Sequence, residues 1–321
     1  MKDDKTTWLT PKTASRLLVL SLGLIFTCFF LASSCPTAHE NQALGYSDGS
    51  LFRPMEHDDT SPIVAIVPHP DDEAFGFSGT LGAAIKAGAP ARVYLLSDGE
   101  GAHAAKRWVA RHQRPAPDLN HDGVVDKLDF AVARRTEFKN SMDIIGVPDG
   151  SVVCLGNAYG NPLLRSSASA STVAAFIQSD CAQNGFPLDS STRVFTVAPQ
   201  LGNDGTAVFF GEGLGDRKLP RKHQICASAA ALLHKGDSGI CLSNIYFFKV
   251  YAHAEQNPPP KAPIVFIPSD QGCNTRRRAI EQYAELGKKS APRVYRGAIS
   301  HKNEYAATLQ DIRDAGFYLE Q

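Results

Sequence analysis

The chain carries no excess of charge of either sign: 33 Lys and Arg stand against 33 Asp and Glu, a formal net charge of +0. A polyanion partner needs a basic excess or stripe, so the balance argues against nucleic-acid binding. The one basic run, Arg276-Arg277-Arg278, is short, opens a helical-looking stretch and reads as a solvated helix face. No internal repeat is visible, which excludes solenoid and propeller architectures. Cysteine is sparse at seven, with no CxxC spacing. Two of these, Cys28 and Cys35, fall in the amino-terminal segment. The remaining five, Cys154, Cys181, Cys226, Cys241 and Cys273, allow at most two bridges and a free thiol. Long apolar runs are also missing, apart from Leu17 to Ala32, which is near the lower limit for crossing a bilayer.

That run follows a polar stretch with Lys2, Lys5, Lys12 and Arg16, the layout of an export signal, with a lone membrane anchor as the alternative. It ends Leu31-Ala32-Ser33-Ser34-Cys35, which resembles a bacterial lipoprotein cleavage site, although Ala32 stands where a larger aliphatic residue is usual. Residues 1–35 are therefore expected to be a signal peptide or lipoprotein leader. The product would be exported: secreted, periplasmic or a membrane-anchored lipoprotein, with any membrane attachment through this leader alone. Residues 36–61 are polar, contain Pro, Gly and Ser, and read as a linker; the folded domain is expected over 62–321.

From Pro62 the pattern alternates strand and helix. Ile63 to Val67 is a continuous apolar run with four β-branched residues, as in a strand buried on two faces. Helical spacing runs from Ser78 to a Gly88 cap, from Phe130 to Ile145 before Gly146, from Ser171 to Ser179 and from His223 to His234. Strands are expected at Ala91–Leu96, Ser151–Leu155, Arg193–Ala198 and Ile245–Tyr251. Such alternation predicts an α/β fold, a Rossmann-like three-layer sandwich with a mainly parallel sheet. Active sites of these sheets collect at the carboxyl ends of strands.

The segment Val67-Pro68-His69-Pro70-Asp71-Asp72-Glu73 lies at such an end. His69 and Asp72 sit on the turn leaving the strand, where their imidazole and carboxylate could bend toward one metal ion, while Asp71 could accept a proton. Pro68 and Pro70 fix φ and stiffen the turn. The plainer reading is a polar turn capping the next helix.

This segment closely resembles the amino-terminal motif of the PIG-L/LmbE-like N-acetylglucosamine deacetylases. Ser78-Gly79-Thr80-Leu81, Leu95 to Glu100, and Arg134 to Glu137 followed by Ile144-Ile145-Gly146-Val147 add further likeness. The resemblance implies zinc held by His69 and Asp72, with Asp71 as general base. It implies a third ligand closing a His-x-x-His element, matched here by Pro220-Arg221-Lys222-His223, so that His223 takes that place. The first histidine of the element is Pro220, and a frequent Asp is Lys222. His253 is a weaker candidate for the missing helper, and Cys226 reads as a packing thiol. The function implied is zinc-dependent removal of acetyl from an N-acetylglucosamine-containing glycan or glycoconjugate. The alternative is a catalytically weakened carbohydrate-binding protein on the same fold, which Pro220 favours and Asp71 opposes.

A second metal pattern lies at 118–129. Asp118, Asn120, Asp122, Asp126 and Asp129 occupy positions one, three, five, nine and twelve of an EF-hand-like loop, with Gly123 at six and the Val124 carbonyl at seven. It resembles a single dockerin-type calcium loop, inserted near the rim of the site. An Asx-rich turn before a helix would use the same residue types without an ion.

Overall fold

A computed structural model describes residues 60–99, 105–106, 109, 118–156, 169–197, 200–201, 207–208, 221–235, 239–241, 244–248, 250, 264–266, 270–283 and 314–318. The chain divides into units 1–41 and 42–321, and every described residue lies in the second. The leader, nearly all of the linker, Pro220 and His253 lie outside the described residues.

The strands are β1 (Ile63–Val67), β2 (Ala91–Leu95), β3 (Val152–Cys154), β4 (Arg193–Val197), β5 (Gln200–Leu201), β6 (Ala207–Val208), β7 (Ile245–Phe248), β8 (Ile264–Phe266) and β9 (Asp314–Tyr318). The helices are α1 (Asp72–Gly76), α2 (Ser78–Ala87), α3 (Lys127–Ile145), α4 (Ala170–Gln183), α5 (Arg221–Lys235) and α6 (Asp270–Tyr283). One sheet runs in the order β3-β2-β1-β4-β7-β9-β8, and β5 with β6 forms a separate antiparallel pair. The first five strands are parallel, and β9 pairs antiparallel with β7 and β8. The mainly parallel α/β sandwich is therefore as expected, with an antiparallel edge that the alternation did not announce.

All five residues of β1 are fully buried, because helices cover the two faces of the sheet. Ile63, Ala65 and Val67 pack toward Phe138 and Met142 of α3 and toward Ala279, Ile280 and Tyr283 of α6. Val64 and Ile66 face the opposite way, into a cluster with Val173 and Ile177 of α4 and Cys226, Ala230 and Leu233 of α5. Each Val or Ile so buried contributes about 1.5–3 kcal/mol of transfer free energy. Helix α3 ends at Gly146, whose φ of 95° lets its N–H reach the Met142 and Asp143 carbonyls.

The order of strand addition reverses between β1 and β4, which run parallel: from β1 the sheet grows through β2 to β3 on one side, and through β4 to β7 on the other. Ligands of open α/β sheets bind outside the carboxyl ends of strands at this switch point. The turn holding His69 leaves β1 there. Among the described residues no helix is long and apolar enough to cross a membrane. Cys154, Cys181, Cys226 and Cys241 are free thiols, so none of these four joins a bridge.

Candidate metal centre

Asp72 opens α1 with its carboxylate turned back toward the end of β1. Its Oδ2 accepts from the His69 backbone N–H at 3.0 Å and lies 3.1 Å from His69 Nδ1. The same oxygen lies 3.2 Å from Nε2 of His223, which α5 brings in from 151 residues downstream. The two imidazole rings stand 5.2 Å apart, tilted by 42°. Candidate ligand atoms of His69, Asp72 and His223 all lie within 4.8 Å of one another, the only such group among the described residues. Asp72 is fully buried and His223 nearly so, while the His69 side chain keeps 26% of its exposure. The approach from solvent is therefore on the His69 side.

Burial opposes ionisation of Asp72, but His223 and His69 outweigh it and hold the carboxyl well below the usual range. His223 shows the converse: burial disfavours its cation, yet Asp72 beside it raises its pKa overall. Two imidazoles and a carboxylate gathered in a buried pocket suit zinc, which accepts N and O donors and in catalytic sites keeps three protein ligands.

Asp71 has φ 111°, a value that side-chain-bearing residues rarely adopt. Such a conformation costs about 1–3 kcal/mol and persists only where its surroundings enforce it. The Asp71 N–H donates to Glu73 Oε2 at 3.1 Å, its carbonyl accepts from the Phe75 N–H at 3.0 Å, and its carboxylate Oδ2 lies 2.8 Å from Arg134 Nη2. Asp71 is itself buried.

Glu73 and the helices behind it are the part that sequence reasoning missed. Glu73 is fully buried, and its Oε1 accepts from the Tyr283 hydroxyl at 2.5 Å and from the Ser141 hydroxyl at 2.8 Å. Burial pushes its carboxyl up to about 7, against the opposing effect of these two hydrogen bonds. Arg276 donates to the Phe75 carbonyl at 2.6 Å, which ties α6 to α1. Arg135 grips Asp98, just beyond β2, through two hydrogen bonds of 3.1 and 2.6 Å. A Cβ on Gly156 would overlap the Asp98 carboxylate, so the backbone passes close by. The one sequence-level signal was charge on a helix whose apolar face must be buried.

The structure does not gather the acids of 118–129 into a metal-ligating group. Asp118 accepts from the Asp122 and Gly123 N–H groups at 3.1 and 2.6 Å. Asp122 Oδ1 accepts from the Val124 N–H at 2.8 Å, Asn120 Nδ2 donates to Asp122 Oδ2, and Val124 is exposed. Asp126 caps α3, and Asp129 answers it in a capping box while also accepting from Leu119 and Asn120. These oxygens accept from backbone amides of the loop and of the α3 start. The turn-and-cap reading explains these residues without an ion. Cys226 is fully buried, and burial pushes its thiol well up, in keeping with packing.

No curated relative matches the chain in sequence. Among solved structures, a deacetylase triple mutant of the teicoplanin biosynthetic pathway is similar at 17% identity and TM-score 0.50, over 80% of this chain and 97% of that one. The N,N'-diacetylchitobiose deacetylase of Pyrococcus horikoshii is 14% identical with TM-score 0.47, over 89% and 94% of the two chains. A 4-carboxy-2-hydroxymuconate hydratase from Pseudomonas putida is 17% identical with TM-score 0.45, over 80% and 95%. The first of these likenesses shows the fold. The family described as PIG-L, GlcNAc-PI de-N-acetylase, matches residues 64–180, a span that takes in β1, His69, Asp71 and Asp72.

Proposed function

We propose that this protein is a zinc-dependent hydrolase that removes the acetyl group from an N-acetylglucosamine-containing glycan or glycoconjugate. The observation that carries this reading is the convergence of His69 with the buried Asp72 and His223, with the Asp71 carboxylate on the adjoining residue. The family match over 64–180 names the acetamide chemistry. His69, Asp72 and His223 would hold the zinc, whose Lewis acidity polarises a carbonyl and eases ionisation of water. Asp71 takes the proton of the attacking water as oxygen adds to the acetamide carbon, and returns it to nitrogen as the C–N bond breaks. Acetate and a free amine result. Asp72, held ionised by its two histidines, keeps its charge throughout.

Residues 1–35 are proposed as an export leader and 36–61 as a linker, which would place the enzyme outside the cytosol with substrate glycans. The test is acetate release from small N-acetylglucosamine oligomers and glycoconjugates by the zinc-loaded protein, with metal content measured in parallel. Bound zinc with no acetate from any of them would favour a carbohydrate-binding protein instead.

A further inference from the structure

We infer that Arg134 is a positioning residue for this hydrolysis, acting through Asp71; the inference rests on the function proposed above. Arg134 projects from α3 and its side chain is 7% exposed. One guanidinium nitrogen, Nη2, meets the Asp71 carboxylate at 2.8 Å and also donates to the Pro70 carbonyl. The other, Nη1, donates to Glu137 Oε2 at 2.7 Å. The guanidinium stacks over the Tyr283 ring, with 5.1 Å to its centroid.

The arrangement grips Asp71 from three directions. Arg134 takes its side chain and the carbonyl before it. Glu73 Oε2 accepts its N–H, and Tyr283, beneath Arg134, fixes Glu73 by the 2.5 Å hydrogen bond. A backbone at φ 111° would relax without such enforcement. Turning Asp71 would swing its carboxylate away from the position set beside Asp72. Glu137 orients the guanidinium, so the Arg134–Glu137 pair is one device. A planar fork can serve Asp71, Pro70 and Glu137 together, whereas a lysine ammonium on a flexible stem cannot hold the same geometry.

A double-mutant cycle separates positioning from general support. Arg134→Met is expected to lower kcat about 100-fold, the scale of a 1 Å misplacement, with KM within about twofold and zinc content unchanged. In an Asp71→Asn background the same change is expected to cost less than about threefold, because the carboxylate it aims is gone. Arg134→Lys is expected to recover part of the rate, and it carries the cycle if Arg134→Met does not fold. Losses that multiply in the double variant, or a kcat within about twofold of the parent, would overturn the inference. If the zinc-loaded parent releases no acetate, the proposed function fails and the cycle is read in melting temperature. Losses that are less than additive there support the Arg134–Asp71 grip, and additive losses overturn it.

Discussion

Replacing Arg135 by Met should destabilise the protein more than any surface substitution, and the structure sets the scale. Asp98 is fully buried, and the Arg135 side chain is 7% exposed. Their two hydrogen bonds, 3.1 and 2.6 Å, join α3 to the segment following β2. Methionine fills much of the volume but takes the Arg135 charge and its two hydrogen bonds away from the buried Asp98 carboxylate. Breaking a buried pair from one side costs roughly 3–5 kcal/mol. With about 2–4 °C per kcal/mol in a domain of this size class, the melting temperature should fall by roughly 6–20 °C. The assay is thermal unfolding followed by circular dichroism, with urea unfolding as a check on cooperativity. Asp98→Asn combined with Arg135→Met should recover part of the loss, because the buried charge is then removed. Melting of Arg135→Met within about 2 °C of the parent would show that the pair does not hold α3 to this segment. So would a double variant that melts lower than Arg135→Met alone.

Other consequences follow from the same geometry. Asp71→Asn should keep its zinc and lose about 100- to 10,000-fold in rate, the range of general acid–base catalysis, as read by acetate release with metal analysis. Asp180 is held below its usual pKa: burial opposes its ionisation, but hydrogen bonds from Arg92 and Tyr94 prevail. Its stabilising contribution is therefore present above the unfolded value of 3.8 and is lost as pH falls through the lower folded value. The melting difference between the parent and Asp180→Asn should be constant from pH 7 to about 5 and shrink below about 4. Asp129→Ala removes the acceptor of the Leu119, Asn120 and Asp126 amides and one half of the α3 capping box. It should cost about 1–3 kcal/mol in urea unfolding, the penalty for a buried polar group left without its partner.

Much of the centre is legible in the sequence because its chemistry is local. His69, Asp71 and Asp72 fall within four residues, directly after an apolar run whose burial on two faces is written in its composition. His223 is different. Nothing in its neighbourhood marks it, and only resemblance supplied it before α5 was seen to deliver its ring beside Asp72. The support behind the turn was not legible, since its partners are distant: Tyr283 lies 210 residues from Glu73, and Arg276 lies 201 from Phe75. The antiparallel edge escaped for a related reason: β8 has three residues, β9 opens Asp-Ala-Gly rather than on an apolar run, and no periodicity tied them to β7. The acids of 118–129 pose a different difficulty. Oxygen-bearing side chains at alternate positions serve an Asx turn and a helix cap as well as a cation, so their spacing alone does not choose between them.

The most direct measurement is acetate release as zinc is titrated into the metal-stripped protein, beside the same titration of His223→Ala. The proposed zinc centre requires that the parent's rate climb with zinc and level off near one equivalent per chain, with free amine formed in step with acetate. The variant should require far more zinc and stay slow. A rate indifferent to zinc, or a His223→Ala titration that overlays the parent's, would contradict it.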